Sequence, residues 1–317
     1  MEVITITANP AIDMTVHVDG WQRDAVNRAQ AVDITVGGKG LTVAINLADA
    51  GISTSATGFM GADNEERFVR TFKQHGVIDH CIRIPGETRT CIKIVDGSNG
   101  ETTDINPAGL FVPEEYQQQL WDYIEQNVGT ARVLMMGGSL PAGVEKDLYA
   151  RIVAKYHGKF EYIVVDSSGK ALAETMKADI LPDMIKPNIH ELQEMCGREL
   201  SSDEDIIREA RGFIERGMKI VVVSMGGQGA WFVTKKEAVH AKPPRVRVAS
   251  TVGAGDAMVA GTIRGLLLGR DMAEMARTAT AYSASNIEHV GTYLPGQQRI
   301  EQLKGWVVIT REGESRA

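Results

Sequence analysis

Cysteine is scarce in this chain: Cys81, Cys91 and Cys196 are its three, with no CxxC spacing among them. An odd, scattered set excludes a disulfide framework and a zinc knuckle, and a reducing cytoplasm is the expected compartment. Net positive charge is missing too. Lys plus Arg number 34 against 41 Asp plus Glu, a formal charge of −7, so no broad electrostatic surface for nucleic acid is expected. Aromatic residues make up 6%, and Trp21, Trp121, Trp231 and Trp306 do not alternate with basic residues as a base-stacking surface requires. No uncharged apolar run approaches about 18 residues, and the opening MEVITITANPAID has no basic leader, so neither a membrane span nor a signal peptide is expected. The 7 histidines form no HExxH pair.

What is present suffices for one large core with an appendage: 317 residues, 43% hydrophobic and 24% charged. Short apolar runs at residues 3–8, 132–137, 162–167 and 220–224 read as strands. The last three, VLMMG, YIVVD and IVVVS, are nearly continuous, as central strands covered on both faces are. Helix-like stretches separate them at 41–50, 113–127, 146–155 and 202–215, and an apolar helical region follows Gly253 through 260–268 and 272–286. Pro113 before Glu114 and Glu115 suits a first helical turn. This alternation predicts an α/β fold with a doubly wound, mostly parallel sheet. Residues 14–36 and 90–106 break the rhythm: TVHV, AVDITV and IKIV alternate with no helix between them. They predict antiparallel strands of a small sheet beside a core made of residues 1–13, 37–89 and 107–317. Such a sheet with one apolar face needs a cover, either substrate or another subunit; ordinary hairpins at a sheet edge are the plainer alternative. The closing REGESRA reads as a frayed tail.

The strongest local signal is STVGAGD at residues 250–256, between a strand-like VRVA and an apolar helix. Gly253 and Gly255 permit a tight turn in which successive N–H groups face an anion at the helix start, a nest suited to charge developing on a transferred phosphoryl group. Asp256, beside that nest, suits a base that takes the proton of an attacking hydroxyl. A glycine turn with Asp256 as a mere helix cap is the competing reading. GGKG at 37–40 is a second glycine turn, but without GxxxxGK[ST] spacing it is no Walker A loop. Gly38 lets a small polyol approach the backbone, and Lys39 attracts negative charge. Asp13, in NPAID after the first strand, suits two hydroxyls or an Asx turn. Arg89 and Lys93, four apart in an extended segment, share a face and can address one phosphate unless they are surface charge. Ser139, in GSLP, is placed to join that anion. Asn188 and Glu191, in KPNIHE, suit a hydrated magnesium ion or nucleotide phosphates, and equally a capping box. Ser224, Gly226 and Gly229 offer a flexible turn for the rim of a nucleotide site.

In order and spacing NPAID, GGKG, TRTCIK, GSLP, VDSSG, KPNIHE, VSMGGQGA and STVGAGD resemble the ribokinase-like family of carbohydrate kinases over almost the whole chain. The likeness is to its bacterial phosphosugar branch, which acts on fructose 1-phosphate, tagatose 6-phosphate or fructose 6-phosphate. The resemblance implies a ribokinase-like core with a β-sheet lid, ATP and Mg2+ as cofactors, Asp256 as catalytic base, and Gly253, Ala254 and Gly255 as anion hole. It implies Asp13, Gly38, Lys39, Thr42 and Cys91 at the sugar, with Arg89, Lys93 and Ser139 on its phosphate. Lys186, Asn188, Glu191, Ser224, Gly226, Gly229 and Asn286 fall on the nucleotide side, Glu191 reaching the metal through water. A homodimer through the lid is implied as well. Fructose 1-phosphate is the expected acceptor, and tagatose 6-phosphate or fructose 6-phosphate the alternative. A catalytically silent sensor of sugar phosphate and nucleotide is the reading from another class. Thr42 and Cys91 stand where the branch usually has Asn, and neither hydrogen-bonds a hydroxyl as fully as an amide does.

Overall fold

The computed structural model describes residues 1–291 and 293–314, so the expected frayed tail lies partly outside the described residues. The first half contains β1 (Val3–Thr7), β2 (Ala11–Val18), β3 (Ala31–Gly37), α1 (Lys39–Asp49), β4 (Thr54–Gly61), α2 (Glu66–His75), β5 (Ile78–Asp79), β6 (Ile82–Ile84), β7 (Thr90–Asp96) and β8 (Thr102–Ile105). The middle of the chain supplies α3 (Glu114–Gln126), β9 (Val133–Gly137), α4 (Leu148–Tyr156), β10 (Tyr162–Asp166), α5 (Gly169–Lys177), β11 (Met184–Ile185), α6 (Ile189–Cys196) and α7 (Asp203–Glu215). Then come β12 (Ile220–Ser224), β13 (Ala230–Val233), β14 (Ala238–Lys242), α8 (Ala254–Leu267), α9 (Met272–Asn286), α10 (Gln297–Trp306) and β15 (Val308–Arg311).

The large sheet has the order β15-β14-β13-β12-β11-β10-β9-β1-β4-β5, with β6 beside β4. From β12 to β5 its pairs are parallel, and β12 to β15 form an antiparallel edge that the sequence reading leaves out. The central strands are apolar throughout because alternate residues feed different cores. Ile4, Ile6, Leu134, Met136, Ile163 and Val165 pack toward α3, α4, α5 and α7, while Val3, Val133, Met135 and Val164 pack toward α1, α8 and α9. Truncating one of them, as in Met136→Ala, is expected to cost about 2–5 kcal/mol of stability.

Parallel strands end on one edge, and the ends of β10 and β12 with the loops beyond β1, β9 and β11 gather Asp166, Ser224, Asn9, Ser139 and Lys186 there. Ligands of open α/β sheets bind at such an edge. Above it stands the second sheet, in the order β3-β2-β7-β8. It is not antiparallel throughout, as expected from the sequence, because β2 and β7 pair in parallel. Each leaves the core separately, β7 after the α1–β6 segment, and each then returns through its own antiparallel partner, β3 or β8. Strand β2 begins at Ala11, so Asp13 stands in the small sheet and not at the end of the core.

Candidate active site

Gly253 is the N-cap of helix α8; its φ of 80° is the left-handed conformation that glycine adopts freely, and no side chain caps the first turn. The amides of that turn and the positive end of the helix dipole are therefore available to an anion. Four charged side chains converge beside it. Lys39 Nζ lies 3.1 Å from Asp166 Oδ2 and 3.4 Å from Asp256 Oδ1. Lys186 Nζ lies 3.7 Å from Asp166 Oδ1 and rests against Gly255, where a Cβ would meet it at 3.1 Å. Asp166 and Lys186 are sealed, at 2% and 6% side-chain exposure, whereas Asp256 keeps 13% and Lys39 33%. The cluster thus turns one acid and one base outward and holds a second pair behind them.

Burial raises the Asp256 carboxyl above the usual carboxylate range; Lys39 pulls it back and Asp166 pushes it further up. Burial alone would lower the Lys39 ammonium, but Asp166 and Asp256 outweigh it and hold that group well above the ordinary lysine range. A desolvated carboxylate beside a retained cation can accept a proton from a hydroxyl as that hydroxyl becomes a nucleophile.

Facing this cluster, a cavity of about 240 Å³ is walled by Asp13, Thr35, Cys91, Lys93 and Asp104 from the small sheet and by Ser250 and Val252 from the loop before α8. Asp13 lies over Gly37, where a Cβ would come within 1.9 Å of Oδ2. Its carboxyl is pushed up to about 6 by burial, against the opposing pull of Arg89 and Lys93, with Asp256 and Asp104 adding to the rise. Burial raises the Cys91 thiol as well. Thr42 is 2% exposed in α1 and does not line this cavity as Cys91 does, so the two departures from the branch pattern are not equivalent.

Arg89 is anchored by backbone carbonyls, while its charge still acts on Asp13. It donates to the carbonyls of Asn9 (3.0 Å), Pro10 (3.3 Å) and Pro107 (2.9 Å), so three of its N–H groups already tie the NPAID turn to the loop after β8. Asn9 completes that knot, its amide donating to Ala108 O at 3.1 Å and to Ser139 Oγ at 3.2 Å.

On the other side, Asn188, Ser224 and Gly226 line a hollow of about 860 Å³. Ser224 N donates to Pro187 O at 3.0 Å, which fixes the two loops together. Gly229 lies behind, packed on β14 so closely that a Cβ would meet Ala241 O at 2.1 Å. Asn188 and Glu191 form the capping box: Glu191 N donates to Asn188 Oδ1 at 2.9 Å and Asn188 N to Glu191 Oε2 at 2.8 Å. Glu191 also adds to the field that raises Lys39. Asn286 does not line this hollow. It is fully buried, and its amide donates to Gly291 O at 3.5 Å, bracing the turn after α9.

Sequence reasoning misses Asp166, although VDSSG contains it: an acid ending an apolar strand is a strand-end signal with no spacing of its own. It misses Asp104 because the cross-strand partner of Lys93 depends on register.

A profile of the pfkB family carbohydrate kinases matches residues 2–299. The 1-phosphofructokinase of Rhodobacter capsulatus is 40% identical over 310 residues, 98% of each chain. That of Xanthomonas campestris pv. campestris is 39% identical over 291 residues, 91% of this chain and 92% of the other. Among solved structures, phosphofructokinase-2 from Escherichia coli in complex with substrates and products matches with a TM-score of 0.89 and 27% identity, over 96% of this chain and 99% of that one.

Proposed function

This chain belongs to the pfkB family of carbohydrate kinases, and from that premise we propose that it transfers the γ-phosphoryl group of ATP to the 6-hydroxyl of fructose 1-phosphate. The observation that carries the reading is the Asp256–Lys39 pair beside the uncapped start of α8; the relatives called 1-phosphofructokinase support the acceptor. Asp256 takes the hydroxyl proton as the sugar oxygen bonds to phosphorus and the bond to the β–γ bridging oxygen breaks, releasing ADP. Lys39, Lys186 and the amides of Gly253, Ala254 and Gly255 offset charge on the phosphoryl oxygens. Asp13 holds sugar hydroxyls beside Gly38, and Arg89 and Lys93 with Ser139 hold the phosphate already present. Asn188, Ser224 and Gly226 hold the nucleotide.

The residues fit magnesium in its usual nucleotide-bound form. Among the described residues no three His, Cys, Asp or Glu side chains group into a metal cage, and Mg2+ commonly takes one or two carboxylates, with phosphates and water completing its shell. Glu191 would hold it through water, and the ion would neutralise phosphate charge.

A second copy of this chain is the proposed cover of the small sheet. By strand register, Met14, Val16, Val32, Ile34, Ile94 and Ile105 share the face opposite Asp13 and Lys93, and Val32, Ile34 and Ile105 are 49%, 36% and 52% exposed. An apolar sheet face of this kind is expected to dimerise, and Ile34→Glu is expected to halve the mass seen by light scattering. The three thiols are free, which supports a cytoplasmic site of action; no helix among the described residues is long and apolar enough to cross a membrane.

The test is magnesium-dependent ADP release with fructose 1-phosphate, fructose 6-phosphate, tagatose 6-phosphate and unphosphorylated fructose, with product mass measured. The highest kcat/KM on fructose 1-phosphate, with formation of a bisphosphate, supports the reading. Preference for another phosphorylated ketose replaces the acceptor, and ligand-dependent association without any transfer favours the sensor.

A further inference from the structure

Lys93 is the one cation on the wall of the sugar cavity among the described residues, and it is already engaged: its Nζ lies 2.6 Å from Asp104 Oδ1. Register builds the pair. Lys93 on β7 stands directly opposite Asp104 on β8, so both side chains leave the same face of the sheet. Asp13, paired with Cys91, shares that face. Arg89 adds no donor to this wall through the three N–H groups bound to backbone carbonyls. On the wall itself two carboxylates, Asp13 and Asp104, face one ammonium, with the Arg89 charge also acting on Asp13, so Lys93 is open to an incoming phosphate only once Asp104 gives way.

We infer that Asp104 sets the affinity of this wall for phosphate, as a counter-anion that occupies Lys93 until the phosphate of the sugar displaces it. The inference rests on the proposed class of acceptor. The side chains of the pair are 27% and 49% exposed, and ion pairs so open to water are weak. A phosphate dianion carries twice the charge of the carboxylate and outcompetes it for Lys93. A neutral sugar brings nothing to exchange, so the pair stays closed and Asp104 remains beside Asp13 in the cavity. The exchange therefore acts on phosphorylated acceptors alone and sets how tightly they bind. Strand β8 suits this role: it is the edge of the small sheet, pairs only with β7, and its four residues are exposed, so Asp104 can turn to solvent without disturbing the core.

The test uses the full chain. Asp104→Asn keeps the side-chain shape, and circular dichroism verifies the fold. It is expected to lower KM for fructose 1-phosphate about three- to tenfold, with kcat changing less than KM. In calorimetry without nucleotide, inorganic phosphate is expected to bind this variant tighter than wild type by a similar factor, and adding Lys93→Met is expected to abolish the gain. Asp104→Ser gives the same outcome if charge is what matters. A KM equal to or above that of wild type, or a gain in phosphate affinity that survives Lys93→Met, overturns the role of Asp104. Failure of the wild type to phosphorylate any sugar phosphate would sink the acceptor reading instead, and the phosphate titration would still decide the competition for Lys93.

Discussion

Asp166 and Asp13 each bring a carboxylate to the same cleft from opposite sheets, and their surroundings differ. Asp166 ends a central strand, is 2% exposed and touches two lysines. Asp13 belongs to a half-exposed four-stranded sheet, lies over a glycine turn, and has its carboxyl raised to about 6 chiefly by burial. The parallel core fixes a charge arrangement that water scarcely reaches. The small sheet offers weaker, replaceable contacts such as Lys93 with Asp104. In the proposed reading the groups assigned to bond-making sit where preorganisation is greatest, and those assigned to the acceptor sit where exchange is cheap.

The comparison can be broken most severely at Asp256. Asparagine there is expected to lower kcat by about 10²–10⁴ with the fold intact, and near wild-type turnover would remove it as the base. Asp166→Asn leaves Lys39 and Lys186 short of a counter-charge, and a loss of about 3 kcal/mol is expected, toward the low end for a broken buried pair because Lys39 is one-third exposed. Denaturant unfolding measures it, and an unchanged midpoint would show the cluster to be mere surface charge.

At Asp13 activity and stability are expected to respond to pH in opposite directions. In its proposed role the Asp13 carboxylate accepts from sugar hydroxyls, so kcat/KM is expected to fall about tenfold per unit of pH below about 6, the value to which Asp13 is raised. Between the ordinary 3.8 and about 6 the folded protein holds a proton that the unfolded chain has released, so the contribution of Asp13 to stability declines as pH rises through that window. Asp13→Asn is expected to flatten both profiles. The smallest effect concerns acceptor choice: Cys91→Asn, on the cavity wall, is expected to shift the ratio of kcat/KM between fructose 1-phosphate and tagatose 6-phosphate by about threefold, and Thr42→Asn by less. The reverse order would place the selecting contact in α1.

Much of the core was legible because its signals are local. The continuous strands YIVVD and IVVVS, and the glycine turn before Asp256, owe their form to neighbours in the chain, and the structure has them within a residue or two of expectation. The small sheet was legible as strands but not as topology, since the parallel pairing of β2 with β7 depends on where a distant segment leaves the core. The charge partners were the least legible. Lys39 meets Asp166 across 127 positions and Asp256 across 217, and Arg89 is tied to carbonyls that no motif announces.

The division of labour between the α/β core and the small sheet is tested most directly by measuring kcat and KM for fructose 1-phosphate side by side in Asp256→Asn and Asp13→Asn. The account predicts that Asp256→Asn loses kcat by at least about 100-fold while KM stays within about threefold, and that Asp13→Asn raises KM about tenfold or more with the smaller change in kcat. Loss of kcat at Asp13 with turnover preserved at Asp256, or the same split in both variants, would contradict it.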